Sequence, residues 1–435
     1  MRTTRRHAAI VLAASAAGAL ALSACSGGGE DGGGGDGPVD LTMYYPIAVG
    51  GPLQEVVDDL VAQCETELGD VSVEAVYAGS YADTMTKAQT ASRSGDGPDL
   101  AVLLTTDLYT LTDNDLILPL DELDDDLSWT EEQFFPGFLA GGQAEGQLWS
   151  LPFQRSTIVQ YYNKELFEQA GLDPEAPPTT WEELATTAAA LQEAGVAEYG
   201  IEIPSTQFGN WMLQAMAIQS GVEDTAGVDG MVEYLGDDGT IEAMDWWLDL
   251  TESGVMPSGT TEWASTPEDF LQGRTAMMWH TTGNLTNVRT NASFEFGVSM
   301  LPANTEPGSP TGGGNLYVFD TGDDARQQAA YEFSRCLTEP ERAAQWSMDS
   351  GYVATGPAAW ETDTMATYAE EFPQATVARD QLEVAQGETT SHENQRVAQA
   401  INDAIAAVLT GSGDADSVFT GLQEEIDQIL APYAQ

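Results

Sequence analysis

Between residues 39 and 104 the sequence alternates short apolar runs with amphipathic stretches, and this alternation restricts the fold more than any other feature. Strands are predicted over 39–45, 71–77 and 100–104. The apolar residues between Leu53 and Cys64 recur at helical spacing, and Ser80 is a typical cap for a second helix over 81–92. A strand, helix, strand, helix, strand order predicts an α/β lobe with a parallel sheet.

In lobes of this kind, ligands bind outside the carboxyl ends of the strands. Those ends carry Tyr45, Tyr81 and Thr105 in this chain. These three residues are therefore candidates for contact with a bound molecule. For Tyr45, packing inside the lobe is an equally good interpretation.

Later segments carry clear helix boundaries. Thr180 and Glu183 have the spacing of a capping box, which predicts a helix through about residue 194. The Thr-Pro-Glu sequence at 266–268 opens another helix, and Gly273 ends it. Further strands are predicted over 275–279 and 315–319. The C-terminal part is predicted to be helical almost throughout.

The first residues have the layout of an export signal. Arginines are followed by an apolar stretch over 8–22 that is short for a membrane span, and small residues precede Cys25. We expect residues 1–24 to be removed as a lipoprotein signal peptide and Cys25 to be lipidated. The Gly-rich residues 25–38 would form a flexible tether. The expected location is the outer face of the cytoplasmic membrane, reached by the general secretory or the twin-arginine route.

The length and charge of the chain limit its partners. After the leader, enough residues and apolar content remain for two cores. The 70 acidic residues outnumber the 14 basic ones, for a formal net charge of −56. Nucleic acid and anionic lipid surfaces are therefore poor partners, and we interpret the acidity as a solvated surface.

The sequence gives little support for a metal or a cofactor. Beyond the leader the histidines are His280 and His392, and no Cys/His cluster has metal-ligand spacing. We expect no metal and no cofactor. With Cys25 lipidated, Cys64 and Cys336 remain, and they fit either a disulfide or two buried thiols.

Catalytic motifs are also missing from the sequence. It has no Gly-x-Ser-x-Gly elbow and no phosphate-binding Gly-x-x-x-x-Gly-Lys loop. We therefore expect a binding protein, with an envelope enzyme acting on carbohydrate or a structural envelope lipoprotein as the alternatives. Core packing is the preferred interpretation for Trp149, Trp181, Trp246, Trp247 and Trp346.

A series of short motifs resembles a known family. In order, they are Gly79-Ser80-Tyr81 with Thr84-Met85, Gly97-Pro98-Asp99, Leu151-Pro152-Phe153, Tyr161-Tyr162-Asn163-Lys164, Ala170-Gly171-Leu172-Asp173-Pro174, Thr180-Trp181-Glu182-Glu183-Leu184, Gly273-Arg274-Thr275-Ala276-Met277 and Gly351-Tyr352. The chain thereby resembles extracellular solute-binding protein family 1, the receptors of carbohydrate-class ABC importers. Within it, residues 79–81, 153–157 and 283–289 are most similar to receptors for glycerol phosphate and glycerophosphodiesters.

This resemblance implies a two-lobed fold of the class II periplasmic-binding-protein type, with a hinged cleft between mixed, mainly parallel sheets flanked by helices. The lobes would comprise 39–158 with 311–352 and 159–310 with 353–435. Chain crossings are expected near Val159, Pro310 and Tyr352. Cys64 and Cys336 then share the first lobe, which favours the disulfide. The implied partners are a small-molecule ligand and ABC permease subunits, and the protein would act as a monomer held to the membrane by its lipid.

The resemblance also implies a pocket. Its polar positions correspond to Tyr81, Ser156, Thr281, Gly313 and Tyr352. Its stacking aromatic residues correspond to Phe208 and Trp211. Hydroxyls at these positions can hydrogen-bond a polyol or phosphate, and the aromatic faces can pack against a sugar, glycerol or a quaternary ammonium group.

Two positions depart from the receptors' pattern. Thr105 stands where an acidic residue is expected, and Thr390 stands where an arginine would bind the phosphate. Arg155, beside Ser156, is the candidate substitute, or it pairs with a surface carboxylate. The resemblance therefore leaves the ligand open among a sugar, a glycerophosphodiester and glycerol phosphate.

Overall fold

The computed structural model describes residues 38–434. The expected signal peptide, Cys25 and the tether up to Gly37 lie outside these residues. The strands are β1 (Val39–Pro46), β2 (Val71–Gly79), β3 (Leu100–Leu104), β4 (Gln143–Ala144), β5 (Gln147–Leu148), β6 (Ser150–Asn163), β7 (Tyr199–Glu202), β8 (Thr275–Thr281), β9 (Phe296–Ser299), β10 (Ser309–Val318) and β11 (Ala385–Gln386).

The helices surround these strands. They are α1 (Leu53–Leu68), α2 (Tyr81–Ser94), α3 (Leu108–Thr112), α4 (Ser128–Gln133), α5 (Pro136–Leu139), α6 (Lys164–Gln169), α7 (Trp181–Glu193), α8 (Gly209–Gln219), α9 (Asp238–Glu252), α10 (Ser265–Leu271), α11 (Leu285–Asn291), α12 (Asp324–Leu337), α13 (Pro340–Ser350), α14 (Pro357–Trp360), α15 (Asp363–Glu371), α16 (Val377–Asp380), α17 (Asn394–Leu409) and α18 (Ala415–Leu430). Over residues 38–434, none of them combines the length and apolar character needed to cross a membrane.

The predicted alternation at the start of the fold is confirmed. β1 pairs in parallel with β2, beginning at Val39 opposite Val71, and in parallel with β3. Helix α2 begins with a full capping box. The Ser80 hydroxyl accepts from the Asp83 amide at 3.2 Å, and the Asp83 carboxylate accepts from the Ser80 amide at 3.0 Å. These bonds satisfy two amides that would otherwise lack partners at the helix start.

Two long strands cross the middle of the molecule. The main path of the sheet runs β2-β1-β3-β10-β6-β8-β7, with β9 pairing to β6 and β11 to β10. β10 is antiparallel to both β3 and β6, and β6 is antiparallel to β8. Along β6, Thr157 pairs with β10, whereas the next residue, Ile158, pairs with β8. A continuous strand therefore passes from one half of the sheet to the other.

The two largest hydrophobic clusters lie on either side of this crossing. One is built from residues within 41–153 and 316–352, and the other from residues within 158–301 and 397–430. The fold is thus the predicted two-lobed α/β arrangement. In the first core, Cys64 of α1 and Cys336 of α12 form a disulfide with a Cα–Cα distance of 5.9 Å.

Strand β10 begins six residues before the predicted start at Asn315. Its N-terminal part contains Gly312, Gly313 and Gly314, a composition that argues against a strand. Hydrogen bonding to β6 over Thr311–Tyr317 holds this part extended. Tertiary pairing therefore overrides local propensity where the strand crosses between the lobes.

Half of the capping box predicted for α7 is confirmed: Thr180 caps the helix, but Glu183 bonds the amide of the residue before the cap. The Thr180 hydroxyl accepts from the Glu183 amide at 3.2 Å, but the Glu183 carboxylate accepts from the amide of Thr179, at 2.9 Å.

We expect Thr180→Ala to lower the free energy of unfolding by about 1 kcal/mol, because an amide of the first turn loses its acceptor. Urea denaturation measures this change.

The matched control is Thr186→Ala, at an exposed position inside the same helix. That substitution should be neutral or raise stability by up to about 0.7 kcal/mol, because alanine has the higher helix propensity. Equal effects of the two substitutions would show that the cap contributes nothing.

Candidate functional site

A narrow cavity of about 30 Å³ opens where β6 and β10 cross between the lobes. Its lining residues are Ala48, Val49, Tyr81, Leu104, Ser156, Phe208, Trp211, Trp263, Thr281, Gly313, Tyr352 and Glu388. A larger adjoining space of about 660 Å³ shares Tyr81, Leu104, Phe208 and Glu388 with it, and a space of that size suits a small ligand.

The first lobe contributes the ends of its parallel strands. Ala48 and Val49 follow β1, Tyr81 follows β2 as the first residue of α2, and Leu104 ends β3. The carboxyl ends of neighbouring parallel strands meet at one edge, which explains why residues far apart in sequence share this wall.

Aromatic rings form the wall opposite. Phe208 and Trp211 lie at the start of α8, and Trp263 lies just before α10. The ring centroids of Phe208 and Trp263 are 4.6 Å apart, and those of Trp211 and Trp263 are 6.4 Å apart. Such a surface packs well against the C–H face of a sugar or polyol.

One hydrogen bond and one ring contact hold the Trp263 side chain, and a further hydrogen bond holds its backbone carbonyl. Its Nε1 donates to the carbonyl of Ala48 in the first lobe at 3.2 Å. Its ring lies 3.9 Å from that of His280, and burial lowers the pKa of His280 to about 3, so the imidazole is neutral. The Asn284 amide donates to His280 Nδ1 at 2.7 Å, so Nε2 carries the proton that reaches the Trp263 carbonyl at 3.2 Å.

Two glycines of β10 allow close packing at the crossing. A Cβ on Gly312 would lie 2.4 Å from the Trp211 ring, so only glycine admits the indole at its observed position. Gly313 has φ +94°, and a Cβ there would lie 2.1 Å from the Gln154 carbonyl oxygen. Trp211 Nε1 also donates to the Thr311 carbonyl at 2.9 Å, which orients the ring along the strand.

Hydroxyl groups supply most of the polar wall. The Tyr352 hydroxyl accepts from Gln154 Nε2 at 3.0 Å, and burial raises the pKa of Tyr352 to about 12, so it stays protonated. The buried Tyr81 hydroxyl neighbours that of Tyr352 but makes no hydrogen bond of regular geometry among residues 38–434. A buried hydroxyl without a partner is costly, and a polar ligand in the cavity would satisfy it.

Arg155 lies behind the cavity wall and is fully buried at 0% exposure. Its NH1 donates to the Gly313 carbonyl at 2.8 Å and to Thr105 Oγ1 at 3.3 Å. Its NH2 donates to Thr311 Oγ1 at 3.3 Å, and the guanidinium lies 5.2 Å from the centre of the Phe138 ring. Arg155 is not among the residues that line the cavity, and its NH1 and NH2 hold β10 and Thr105 in place. Its contact with a ligand stays a prediction.

Glu388 brings a carboxylate to the cavity from the loop after β11. Its Oε2 accepts from Thr105 Oγ1 at 3.1 Å. The Thr105 hydroxyl thus accepts from Arg155 and donates to Glu388, linking the two charged groups. Burial raises the pKa of Glu388 to about 7, and Arg155 and the Thr105 hydroxyl oppose that rise.

The structure brings most of the predicted site residues together around this cavity. These are Tyr81, Ser156, Phe208, Trp211, Thr281, Gly313 and Tyr352. Tyr45 is not among them: it is 4% exposed within the first core and packs near Tyr77, which favours the packing interpretation, and its contact with a ligand stays a prediction. Thr105 is also absent from the lining. It lies behind the cavity wall, where its hydroxyl donates a hydrogen bond to the lining residue Glu388.

Several features were missed or set aside by the sequence analysis. Trp263 and Glu388 were not predicted, since neither lies in a matched motif and Glu388 is one of many acids. A signal for Glu388 did exist, because it lies two residues before Thr390, where the expected arginine is missing. The tryptophans assigned to packing lie in the hydrophobic clusters and outside the cavity lining, although Trp346 stacks on the lining residue Tyr352: they are Trp149, Trp181, Trp246, Trp247 and Trp346.

The sequence has clear relatives. Over residues 59–374 it matches the family described as bacterial extracellular solute-binding protein. The sn-glycerol-3-phosphate-binding periplasmic protein UgpB of Pectobacterium atrosepticum is 30% identical over 347 residues, covering 76% of this chain and 77% of that protein. Its counterpart in Salmonella typhimurium is 30% identical over 352 residues, covering 76% and 78%.

Solved structures resemble the fold. UgpB from Mycobacterium tuberculosis in complex with glycerophosphocholine has a TM-score of 0.79 at 23% identity, covering 92% of this chain and 100% of that one. The GacH receptor of Streptomyces glaucescens, solved unliganded and with acarbose, has a TM-score of 0.78 at 21% identity, covering 91% and 100%. At these identities the likeness concerns the two-lobed architecture.

Proposed function

The chain belongs to the bacterial extracellular solute-binding protein family, and from that premise we propose that it is the receptor of an ABC importer for a small polar solute. Proteins of this family work outside the cytoplasm. The observation that carries the proposal is the cavity between the lobes, where aromatic rings face hydroxyl groups and the buried Tyr81 hydroxyl makes no regular hydrogen bond within residues 38–434.

The chemistry of the wall limits the kind of solute. Tyr81, Ser156, Thr281 and Tyr352 offer hydroxyls, and Phe208, Trp211 and Trp263 offer flat apolar surfaces. A molecule with alternating hydroxyl and C–H surfaces matches both. We propose a sugar, a glycerophosphodiester or glycerol phosphate, in line with the ligands named for the relatives.

We propose that the two lobes comprise 39–158 with 311–352 and 159–310 with 353–435. The two separate cores support this division, as does the change of partner along β6. Closure would then bring Glu388 against Thr105 and Asn394 against Thr106, contacts that measure 3.1 Å each. A ligand that touches both walls favours the closed form through its stronger binding to that form.

Delivery to the importer completes the proposal. The closed receptor would dock on the permease subunits as a monomer, and a separate ATPase would supply the energy for transport. A lipid on Cys25 would keep the receptor at the outer face of the membrane, close to its permease. Binding without catalysis is proposed, since the cavity offers recognition groups and no nucleophile paired with a base.

Calorimetry and thermal shift against a panel of solutes test the receptor function. We expect at least one of glucose, maltose, glycerol, sn-glycerol 3-phosphate and glycerophosphocholine to bind, raising the melting temperature. A ligand at 100 times its Kd adds about 2.7 kcal/mol to the free energy of unfolding. Acetate and benzoate, which lack the polyol pattern, serve as controls. Failure of every sugar, polyol and phosphodiester to stabilise the protein would contradict the receptor function.

A further inference from the structure

Among the described residues that line the cavity between the lobes, Glu388 is the one with a charged side chain. It is 8% exposed, so its carboxylate is largely removed from bulk water. A carboxylate in such a place is costly unless hydrogen-bond donors surround it. The cavity therefore presents an acceptor that gains from any ligand able to donate to it.

The hydrogen bonds of Glu388 leave one oxygen for a ligand. Oε2 accepts from the Thr105 hydroxyl at 3.1 Å. That hydroxyl accepts from Arg155 NH1, so its own proton is directed at Glu388. Oε1 accepts no hydrogen bond from the described part of the chain. Thr105 thus fixes the carboxylate in position and leaves Oε1 available to the cavity.

No cation offsets this carboxylate at the cavity surface. Lys, Arg and His are all absent from the described residues that line it. The nearest guanidinium, that of Arg155, lies behind the wall, and its NH1 and NH2 are engaged by Gly313, Thr105 and Thr311. A phosphate entering the cavity would lose its water and meet the Glu388 carboxylate. Arg396 lines the larger adjoining space that Glu388 also borders, but it lies 3.5 Å from the Glu393 carboxylate, which offsets its charge.

We propose that Glu388 selects the ligand of this cleft: its carboxylate accepts hydrogen bonds from the hydroxyls of a neutral sugar or polyol and excludes phosphate esters. The inference rests on the proposed receptor function and narrows its substrate class. The neighbouring aromatic rings of Trp211 and Trp263 fit the same ligand, because they pack against C–H faces that a phosphate group lacks.

Calorimetry on the wild type, Glu388→Gln and Glu383→Gln tests this selection. Glu383→Gln removes the same charge five residues away, at an exposed position outside the cavity lining. The probes are glucose, maltose, glycerol, sn-glycerol 3-phosphate and glycerophosphocholine. Titrations are run at pH 8, where a carboxyl with a pKa of about 7 is ionised. Circular dichroism melting checks that each variant is folded.

We expect a neutral probe to bind the wild type at least tenfold more tightly than either phosphate ester. Glu388→Gln should weaken that probe about 10-fold to 100-fold, since a hydrogen bond to a charged acceptor is lost. The same substitution should improve the affinity for sn-glycerol 3-phosphate relative to the neutral probe, because the like charge is gone. Glu383→Gln should bind every probe as the wild type does.

The possible failures are distinct. Tightest wild-type binding of sn-glycerol 3-phosphate or glycerophosphocholine overturns the selection by Glu388 and leaves the receptor function standing. An unchanged ratio of affinities in Glu388→Gln, measured on folded protein, also overturns the selection alone. Binding of none of the five probes overturns the receptor function, and the selection with it.

Discussion

Trp211→Ala is expected to weaken binding of whichever solute the cleft accepts by roughly 100-fold, because aromatic anchors in buried pockets contribute most of the binding energy. The indole is 4% exposed, lines the cavity and is oriented by its bond to the Thr311 carbonyl. Its removal takes away a flat surface and leaves a gap above Gly312. Calorimetric titration of wild type and variant gives the two values of Kd.

Two further variants sharpen this test. Trp211→Phe keeps an aromatic face and loses the hydrogen bond to Thr311, so its affinity should fall between those of wild type and Trp211→Ala. Trp129→Ala removes a tryptophan that lies against Arg335 and Phe134, outside the cavity lining. It should lower stability and leave the Kd unchanged. Wild-type affinity in folded Trp211→Ala would remove this residue from the site.

Gly313→Ala is expected to lower the free energy of unfolding by roughly 4 kcal/mol. The added Cβ is disfavoured both by the positive φ of this residue and by a severe steric overlap. Gly313 has φ +94°, and the added Cβ would lie 2.1 Å from the Gln154 carbonyl oxygen. Both groups belong to paired backbone, so neither moves without breaking the β6–β10 pairing. The midpoint of urea denaturation measures the loss.

The matched control for this substitution is Gly421→Ala. Gly421 lies in α18, where an added Cβ meets nothing within 4 Å. Alanine should be neutral there or stabilise the helix by up to about 1 kcal/mol, because glycine is the poorer helix former. Similar midpoints for the two variants would show that the crossing of β6 and β10 tolerates a side chain at Gly313.

The α/β class and the first five elements of the fold could be read from the sequence because their signals are local. Apolar periodicity and the Ser80 cap each act within a few residues. The start of β10 was not predictable in this way. Its glycines favour a loop, and only pairing with β6, more than a hundred residues earlier, keeps them extended.

Site residues that lie in family motifs could be predicted from the sequence. The charged residue of the cavity could not, because it lies at a different position from the charged residues of the known receptors. Tyr81, Ser156 and Tyr352 lie in segments matched to known receptors. Glu388 lies in a loop without regular pattern, and its role depends on contact with Thr105, which is 283 residues away in sequence. Arg155 was a candidate for ligand contact because it is adjacent in sequence to Ser156, a pocket hydroxyl. Consecutive residues of a strand, however, point to opposite faces. Its side chain therefore lies behind the wall that Ser156 forms.

The crossing of β6 and β10 also determines the order in which the protein can be completed. β10 fills the middle of the sheet between β3 and β6, yet it follows β8 along the chain. The disulfide of the first core likewise joins cysteines separated by 272 residues. During synthesis the sheet of the first lobe therefore stays open until β8 of the other lobe has emerged, and the second core is completed only by α17 and α18 near the C-terminal end. A chain stopped after β8 would leave β3 and β6 without their shared neighbour, and neither lobe matures as an independent unit.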